Sequence, residues 1–403
     1  MSVCATATAP KHTVAVDTTG VATVGGDTAA NCATTTYTIP TVTTTVTEGG
    51  TTGTTTTGTT STTGTTTTTS GGGGLTYEQA IAYTQTRPTF TPKRTIAVST
   101  AAELKSAISG LQPGDLVRAT SGFTVTSTSS AAPLTIDEQL SAPAEIDLTA
   151  GVKFVYAGSS DTPAVYIHNA ENIWIFGGDA SSGQGGSCIL AHGAEHMLWW
   201  GFTAHDCGGS GISLLTATDG GPTEHNDFQG ELWNMGQAIH WDNHKEKGTG
   251  FHCAGEMADG QGGQPFTDNR LAFYCHDVPV GEAFAFGVSP LTPDLGFAAA
   301  GEKNTLYLKA VNLTCVAKIQ TCGNAITLWG HTSTIGLDIK YLEVDHATGY
   351  ALIDNAVSSG YNLDGVSIDY GRATDAMTDT YPKGAPLWGR DLGQTFGDLQ
   401  PAS

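Results

Sequence analysis

Acidic, basic and aromatic side chains are densest between Ala238 and His252, where the sequence reads AIHWDNHKEKGTGFH. If this segment starts as a strand, its alternating His, Asp and His share the outer face, because every second side chain of a strand points the same way. A base, an acid and a cation in one patch are the groups that acid–base catalysis on a glycan needs. The alternative is a solvated polar face without chemistry. The candidate catalytic residues are His240, Asp242, His244, Lys245, Glu246 and His252.

A second polar cluster precedes this patch, in the segment TATDGGPTEHNDFQG that follows Leu215. Insertions in repetitive folds often build the binding face, so this segment could line a groove beside the catalytic patch. Nearby aromatic residues are suited to stacking on sugars, although core packing is the alternative for each of them. We predict no metal site at His240, Asp242 and His244, because histidines on a flat strand need supporting ligands that the sequence does not show. The candidate substrate-binding residues are Trp200, Trp233, Trp241, His225 and Asp227.

The elements that would position these residues form a repeat. Residues 164–209 contain one unit twice, AVYIHNAENIWIFGGDASSGQGG and SCILAHGAEHMLWWGFTAHDCGG, each with two short apolar strands around a polar corner. The opening strand recurs as GISL, AIHW, AFAF, AITL and ALID. We interpret the two longest steps, 45 residues from Ala238 to Ala283 and 42 residues from Ala283 to Ala325, as double turns. A period in the twenties predicts a β-solenoid, in which stacked units share one core.

The repeat predicts four regions along the chain. Residues 1–48 read as a small β-rich domain, with an unstructured tail as the alternative. Residues 49–74 contain only Gly, Thr and Ser, and such a segment is predicted to be a flexible linker because it has nothing to bury. Residues 75–370 carry the solenoid. Residues 371–403 lose the repeat and are predicted to cover its last turn, since a bare end would be an open sheet edge.

Composition excludes several partners. The 403 residues carry a formal net charge of −21, which disfavours nucleic acid and anionic lipid because both require clustered Lys and Arg. No apolar run approaches 18 residues, so we expect no membrane insertion. The first residues lack a basic region followed by an apolar one, so we also expect no secretory signal peptide.

The eight cysteines contain no CxxC pair, which argues against a structural zinc site. Cys4 with Cys32, and Cys315 with Cys322, are candidate disulfides. The other four lie at strand-like positions and read as small buried core residues, because free cysteine also buries well. These four are Cys188, Cys207, Cys253 and Cys275.

The segment from Ile96 to Val125 resembles the entrance of right-handed parallel β-helix proteins of the pectate-lyase-like kind. Ser99 or Thr100 can cap a short helix with Glu103 in its first turn, and a Pro-Gly-Asp turn then leads into the first strand. The resemblance implies an all-β fold, a right-handed single-stranded parallel β-helix with an N-terminal capping helix. It does not assign a reaction, because this fold carries lyases, hydrolases, esterases and binders. We predict no cofactor, with Ca²⁺ as the alternative because lyases of the pectate type use it with an Arg or Lys base.

A small head, a Thr/Gly linker and a β-helix, in that order, look like a bacteriophage tail protein. Together with the segment HKEKGTGFH, this order is similar to β-helical minor tail or tailspike proteins of phages that infect actinobacteria. The resemblance implies a location at the virion tail tip, a host cell-surface carbohydrate as target, contacts with other tail proteins through the N-terminal domain, and a homotrimer. The protein would recognise, and in one version also degrade, a polysaccharide of the host envelope.

Two other readings stay open. One is a secreted, extracellular bacterial polysaccharide lyase or glycoside hydrolase, since Thr-rich linkers also join domains in such enzymes. The other is a structural or adhesive β-helix without catalysis. The sequence leaves open whether the chain is an enzyme.

Overall fold

We describe the chain from a computed structural model. Side chains are described for residues 76–82, 87–215, 221–236, 252–255, 265–278, 282–286, 303–313, 324–327 and 336–347; elsewhere only the helix and strand bounds given below are described. The chain divides into two compact units, Met1–Thr76 and Tyr77–Ser403.

Five short strands are described in the first unit. They are β1 (Ser2–Val3), β2 (Val14–Val16), β3 (Ala22–Val24), β4 (Thr35–Thr38) and β5 (Thr63–Thr66). Strands β2 and β3 pair antiparallel, and β5 pairs with β1 in parallel and with β4 in antiparallel orientation. Strand β5 lies within the Thr/Gly segment.

Within the described residues, the second unit contains two helices and a long series of strands. The helices are α1 (Tyr77–Thr84) and α2 (Ala101–Ser109). The strands up to the middle of the unit are β6 (Arg94–Val98), β7 (Asp115–Ala119), β8 (Thr124–Ser127), β9 (Leu134–Ile136), β10 (Gln139–Asp147), β11 (Lys153–Tyr156), β12 (Val165–Phe176), β13 (Asp179–Ser181), β14 (Ile189–Glu195), β15 (Leu198–His205), β16 (Ile212–Leu215), β17 (Thr223–Glu224) and β18 (Asp227–Trp233). The later strands are β19 (Ala254–Asp259), β20 (Phe266–Thr267), β21 (Arg270–Val278), β22 (Phe284–Gly287), β23 (Asn304–Leu313), β24 (Ile326–Trp329), β25 (Leu337–Ala347), β26 (Leu352–Asn355), β27 (Val366–Ile368), β28 (Gly371–Ala373) and β29 (Leu387–Trp388).

Parallel pairing of these strands gives three faces around one axis. Face A runs through β6, β7, the end of β10, the end of β12 and the beginnings of β15, β18, β21, β23 and β25 to β27. Face B runs through β8, β11, β13 and the ends of β15, β18, β21, β23 and β25 to β28. Face C runs through β9, the beginning of β12, β14, β16, β19, β22, β24 and β26. This is a right-handed parallel β-helix, as the repeat and the resemblance predicted.

The interior is built from columns of apolar side chains that stack from coil to coil. On face A one column passes from Ile146 through Ile175, Trp199 and Phe228 to Leu271, all of them almost fully buried. Burying each such side chain contributes about 1.5–3 kcal/mol relative to exposure. Because no single coil has both sides of its core covered, the stack as a whole stabilises each coil.

Helix α2 closes the first coil. Thr100 is its N-cap and accepts a hydrogen bond from the Glu103 backbone N–H, and the Glu103 carboxylate accepts one from the Ser99 backbone N–H at 2.7 Å. Leu104 and Ile108 are buried against the core. The predicted capping helix is confirmed with its predicted cap.

An N-terminal strap, residues 76–82 and 87–93, lies along the outer side of face A. Tyr77 of α1 packs on Tyr274 and Tyr341 in the later coils. Towards the first coils, Arg87 lies 3.6 Å from the Phe176 ring centroid, and Phe90 packs on Trp174. The strap therefore runs against the direction in which the coils stack.

A buried asparagine ladder fixes the corner between faces C and A. The Asn226 side-chain amide donates to Asn269 Oδ1 at 2.9 Å, and that of Asn269 donates to Asn304 Oδ1 at 3.0 Å. All three side chains are nearly inaccessible to solvent. At this corner, successive coils each have one residue with a φ between 52° and 64° just before the strand of face A begins. These residues are Asn172, His196, His225, Asp268, Lys303 and Gly336.

In the described part of the β-helix there are two disulfides. Cys188 bonds Cys207 and Cys253 bonds Cys275, with Cα atoms 5.3 and 6.1 Å apart. The expectation that these four are unpaired core residues is therefore wrong, although they are buried as expected. Each pair joins the end of face B to the start of face C, a proximity that linear spacing does not show. The candidate pairs Cys4–Cys32 and Cys315–Cys322 lie outside the described residues.

The step from β16 to β19 and the step from β22 to β24 are each a single coil. Strand β16 pairs directly with β19, Ile212 opposite Ala254, and β22 pairs directly with β24, Phe284 opposite Ile326. The interpretation of the 42-residue step as a double turn is therefore wrong, because β22 and β24 are direct neighbours on face C. Ala238, where the 45-residue step begins, lies outside the described residues. The strand that follows GISL on face C is β19, not AIHW.

Candidate functional site

Three glutamates stand in register on consecutive coils at the corner between faces C and A. Glu171 pairs with Glu195, and Glu195 pairs with Glu224. Neighbouring strands are separated by about 4.8 Å, so the three residues form a carboxylate column about 10 Å long. We call this the glutamate column.

The glutamate column is held by polar neighbours at both ends. The Asn172 amide donates to Glu171 Oε1 at 3.0 Å, and the Thr267 hydroxyl donates to Glu224 Oε1. The backbone N–H of His196 donates to the carbonyl of Glu224 at 3.0 Å. The two outer carboxylates are thus oriented by the same corner that carries the asparagine ladder.

The middle carboxyl group has a perturbed acidity. Burial raises the pKa of Glu195, and the negative charges of Glu171 and Glu224 raise it further. His196 and His225 act in the opposite direction. A carboxyl group between two others holds its proton to higher pH, because ionising all three would place like charges side by side. Such a group is suited to act as a general acid.

Two imidazoles border the column, and a phenol lies on face C of the same coils. His196 and His225 stack with ring centroids 4.9 Å apart, and His225 Nδ1 lies 3.5 Å from an Asp268 carboxylate oxygen. On face C, the Tyr166 hydroxyl lies 3.2 Å from His192 Nδ1. The two histidine rings beside the column can give or accept protons, and the Tyr166–His192 pair lies earlier in the same two strands, β12 and β14.

Gly221 leaves room for the site. A Cβ atom there would lie 2.8 Å from Asn169 Oδ1 and 3.5 Å from Glu195 Oε1. Contacts under 3.0 Å do not occur for real Cβ atoms, so only glycine lets the chain pass this close to the two side chains. Asn169 itself has a φ of 52°, a conformation that asparagine tolerates better than most residues.

Of the predicted catalytic residues, only His252 falls among the described residues. Its Nδ1 lies 2.6 Å from Glu282 Oε2, and the Glu282 carboxylate is 1% exposed. This pair lies at the entrance to face C, at the opposite edge from the glutamate column. His240, Asp242, His244, Lys245 and Glu246 lie outside the described residues, and so does Trp241.

Trp233 is held between two imidazoles on face B. His205 stacks on its indole with centroids 4.5 Å apart and His276 with centroids 5.4 Å apart, at interplanar angles of 9° and 15°. His205 also reaches Asp179 at 2.9 Å, which raises the pKa of its imidazole. Because both faces of the indole are covered, a sugar ring could meet only its edge.

The other predicted binding residues are dispersed. His225 lies beside Glu224 at the column. Asp227 forms a 2.8 Å ion pair with Arg270 on face A, which gives it a structural partner. Trp200 lies on face A beneath the strap, against Phe176. Of the four predicted binding residues that the structure describes, it therefore brings one, His225, to the column.

Among the side chains described, no group of three or more His, Cys, Asp or Glu has an arrangement that could hold a metal ion. The glutamates stack along the axis instead of converging on one point. No helix in the described part of the chain is long and apolar enough to cross a membrane.

One of three comparisons with known proteins bears on the fold. No family model matches the chain, and no curated protein matches its sequence. A solved structure, the alginate lyase from Paenibacillus sp. str. FPU-7, is similar with a TM-score of 0.51 over 70% of this chain and 87% of that one, at 14% sequence identity. The chain has the fold of that lyase. At this identity the likeness carries the fold and no residue roles.

Sequence reasoning did not select the glutamate column, although a signal was present. The polar corner reads AEN, AEH and TEH in three successive units, with Glu directly before the residue of positive φ each time. A carboxylate repeated at one position of a solenoid unit must line up on the folded coil. Aligning the units by their corners, rather than by their opening strands, would have found it.

Proposed function

We propose that this protein binds and hydrolyses a neutral polysaccharide at the glutamate column. The observation that carries the proposal is Glu195, a carboxyl group of raised pKa between two other carboxylates on a solvent-facing edge. A proton donor with a neighbouring carboxylate is the pair that cleaves glycosidic bonds.

In this proposal Glu195 gives its proton to the glycosidic oxygen as the bond breaks. Glu171 or Glu224 then serves as the second carboxylate, which either attacks the anomeric carbon or activates a water molecule. Whether the product retains or inverts the anomeric configuration depends on the separation of the two carboxyl groups. His196 and His225, stacked alongside, border the path of the chain.

Charge favours a neutral substrate over a uronate polymer. Three carboxylates in one column repel a substrate that carries a carboxylate on each sugar. The net charge of −21 adds a repulsive field over a wider range. A neutral glycan meets neither barrier.

The experiment compares wild-type protein with Glu195→Gln on neutral and acidic polysaccharides, following new reducing ends. Glutamine keeps the size and polarity of the side chain but cannot supply the proton. We expect hydrolysis to fall by about 10²–10⁴-fold, the usual contribution of general acid catalysis. Glu103→Gln, in the distant capping helix, is the matched control and should keep full activity. Equal rates for wild type and Glu195→Gln would reject the assignment.

A second candidate is a polysaccharide lyase, favoured by the Tyr166–His192 contact of 3.2 Å. A phenol and an imidazole at this distance can remove a proton from a uronate and return one to the leaving oxygen. The solved alginate lyase of this fold adds support by analogy. Unsaturated uronate products, lost in Tyr166→Phe and kept in Glu195→Gln, would establish this chemistry instead of hydrolysis.

We also propose that the chain acts outside the cytoplasm as a phage tail protein, bound to other tail proteins through residues 1–48. The order of head, Thr/Gly segment and β-helix supports this, and interior disulfides suit a protein that works in an oxidising environment. Light scattering should give about three times the 41.5 kDa chain mass if it forms the proposed trimer. Labelled protein should bind actinobacterial cells, and pretreating the cells to remove surface glycan should abolish binding. A monomer that ignores such cells favours the secreted-enzyme alternative.

A further inference from the structure

The spacing of the glutamate column bears on how the proposed hydrolysis proceeds. Glu171, Glu195 and Glu224 occupy the same position of three consecutive coils, and the residues directly before them pair in the same register. Neighbouring carboxyl groups of the column therefore stand one strand spacing apart, about 4.8 Å. The two outer carboxyl groups stand twice as far apart, about 10 Å.

These two separations correspond to different classes of glycosidase. Enzymes that retain the anomeric configuration hold their two carboxyl groups about 5–5.5 Å apart, whereas inverting enzymes hold them about 6.5–9.5 Å apart to leave room for a water molecule. With Glu195 as the proton donor, either neighbour stands close to the shorter separation. The spacing therefore favours a covalent intermediate over direct attack by water.

Glu171 is held more rigidly than Glu224. Its Oε1 accepts a 3.0 Å hydrogen bond from the Asn172 amide, which also donates to the Leu140 carbonyl at 2.7 Å. The amide is thus tied to the backbone of the preceding coil, and it holds the Glu171 carboxylate in one orientation. Glu224 instead accepts from the hydroxyl of Thr267, a donor that can rotate.

The charges of the column change in the direction that two successive steps need. Burial raises the pKa of Glu195 most, followed by the charge of Glu171 and then by that of Glu224. When Glu171 bonds to a sugar its negative charge is lost, so the pKa of Glu195 falls. Glu195 is thereby suited to give its proton in the first step and to take one from water in the second.

We propose that the hydrolysis retains the anomeric configuration and passes through a covalent ester between the sugar and Glu171, which Asn172 holds in place. This inference rests on the proposed function. In the first step a Glu171 oxygen bonds to the anomeric carbon, the bond from that carbon to the glycosidic oxygen breaks, and Glu195 protonates this oxygen. In the second step a water oxygen bonds to the same carbon, the ester bond breaks, and Glu195 takes the proton from water.

The first test uses the wild-type chain and whichever neutral glucan, mannan or galactan it cleaves fastest. Proton NMR records the anomeric signals of the first product before its two anomers interconvert. We expect the new reducing end to have the configuration of the bond that was cleaved. The opposite configuration would overturn the covalent mechanism and leave the hydrolysis standing, whereas no cleavage of any of these polysaccharides would overturn the proposed function as well.

The second test identifies the carboxylate that bonds to the sugar. Glu171→Ala should lower hydrolysis by at least about a hundredfold. Sodium azide should restore cleavage of the same polysaccharide and give a glycosyl azide of the opposite anomeric configuration, because azide attacks from the side that the carboxylate has vacated. Glu224→Ala should give no such product. A glycosyl azide from Glu224→Ala alone, or from neither variant, would overturn the assignment of Glu171.

A third variant leaves all three glutamates in place. Asn172→Gly removes the amide, and glycine tolerates the φ of 58° at this position. Because the amide orients Glu171 without touching the sugar, kcat should fall by about tenfold while KM stays within about twofold. The matched control is Asn312→Gly, with a φ of 55° at a different corner, and it should leave both constants unchanged. Equal kcat values for wild type and Asn172→Gly would overturn the role of Asn172.

Discussion

Replacing Asn269 with alanine removes the central member of the asparagine ladder. Its side chain takes part in four hydrogen bonds of 2.9–3.3 Å, two with Asn226 and one each with Asn304 and the Thr223 carbonyl. Each contributes about 1 kcal/mol net, and buried partners left unsatisfied add to the loss. The free energy of unfolding should therefore fall by about 3–5 kcal/mol.

The assay is urea-induced unfolding followed by tryptophan fluorescence, with far-ultraviolet circular dichroism as a second probe. Asn312→Gly is the control. It removes an exposed amide that makes one 2.9 Å bond to Asp277, and glycine tolerates the φ of 55° at this position. We expect the control to change stability by less than about 1 kcal/mol.

The ladder also supports the candidate site, because Asn226 follows Glu224 and His225 directly. Asn269→Ala should therefore lower glycan hydrolysis as well as stability, at temperatures where the protein is still folded. A loss of stability below about 1 kcal/mol would show that the buried amides carry little of the corner's rigidity, and the reasoning would be refuted.

Three further predictions rest on other contacts. His205→Gln should destabilise the protein most between about pH 4 and 6.5. The raised pKa of His205 gives stability that is present below pH 6.5 and lost as pH rises through its folded pKa, and the lowered pKa of Asp179 gives stability that is lost in acid. A difference in unfolding free energy between wild type and His205→Gln that does not change with pH would contradict this. Replacing Cys188 and Cys207 with alanine opens a link across 19 residues and should cost about 3 kcal/mol in thermal or urea unfolding, and an unchanged midpoint would contradict it. Gly221→Ala should reduce hydrolysis while leaving the melting temperature within a few degrees, since the new methyl group displaces side chains at the site, and full activity would show that the site tolerates the shift.

Local patterns were sufficient to predict the fold. The repeat at Ala164–Gly209, the cap at Thr100 and the apolar face of α2 are all properties of neighbouring residues, and each is present in the structure. A solenoid is unusually open to such reasoning, because each unit contacts mainly the next one. The number of coils inferred from the repeat was wrong at the 42-residue step, where extra residues separate two neighbouring strands of face C.

The candidate site could be predicted only in part. The concentration of acidic, basic and aromatic side chains along the chain pointed to Ala238–His252. The structure instead groups residues that are far apart in sequence. Glu171, Glu195 and Glu224 are 24 and 29 positions apart, and the strand register brings them to one column. The pKa of Glu195 depends on that alignment and on burial, and neither is visible in a single unit.

The sequence by itself determined the architecture, since period, glycine turns and alternating apolar residues permit little other than a stacked β-helix. Only the tertiary structure decided which polar groups face each other. Cys188 meets Cys207 because a coil returns to its own start, and both faces of Trp233 are covered because His205 and His276 lie one coil to either side. Such contacts depend on the length of each coil and on the register between coils. An insertion changes the length of a coil but not the register of its strands.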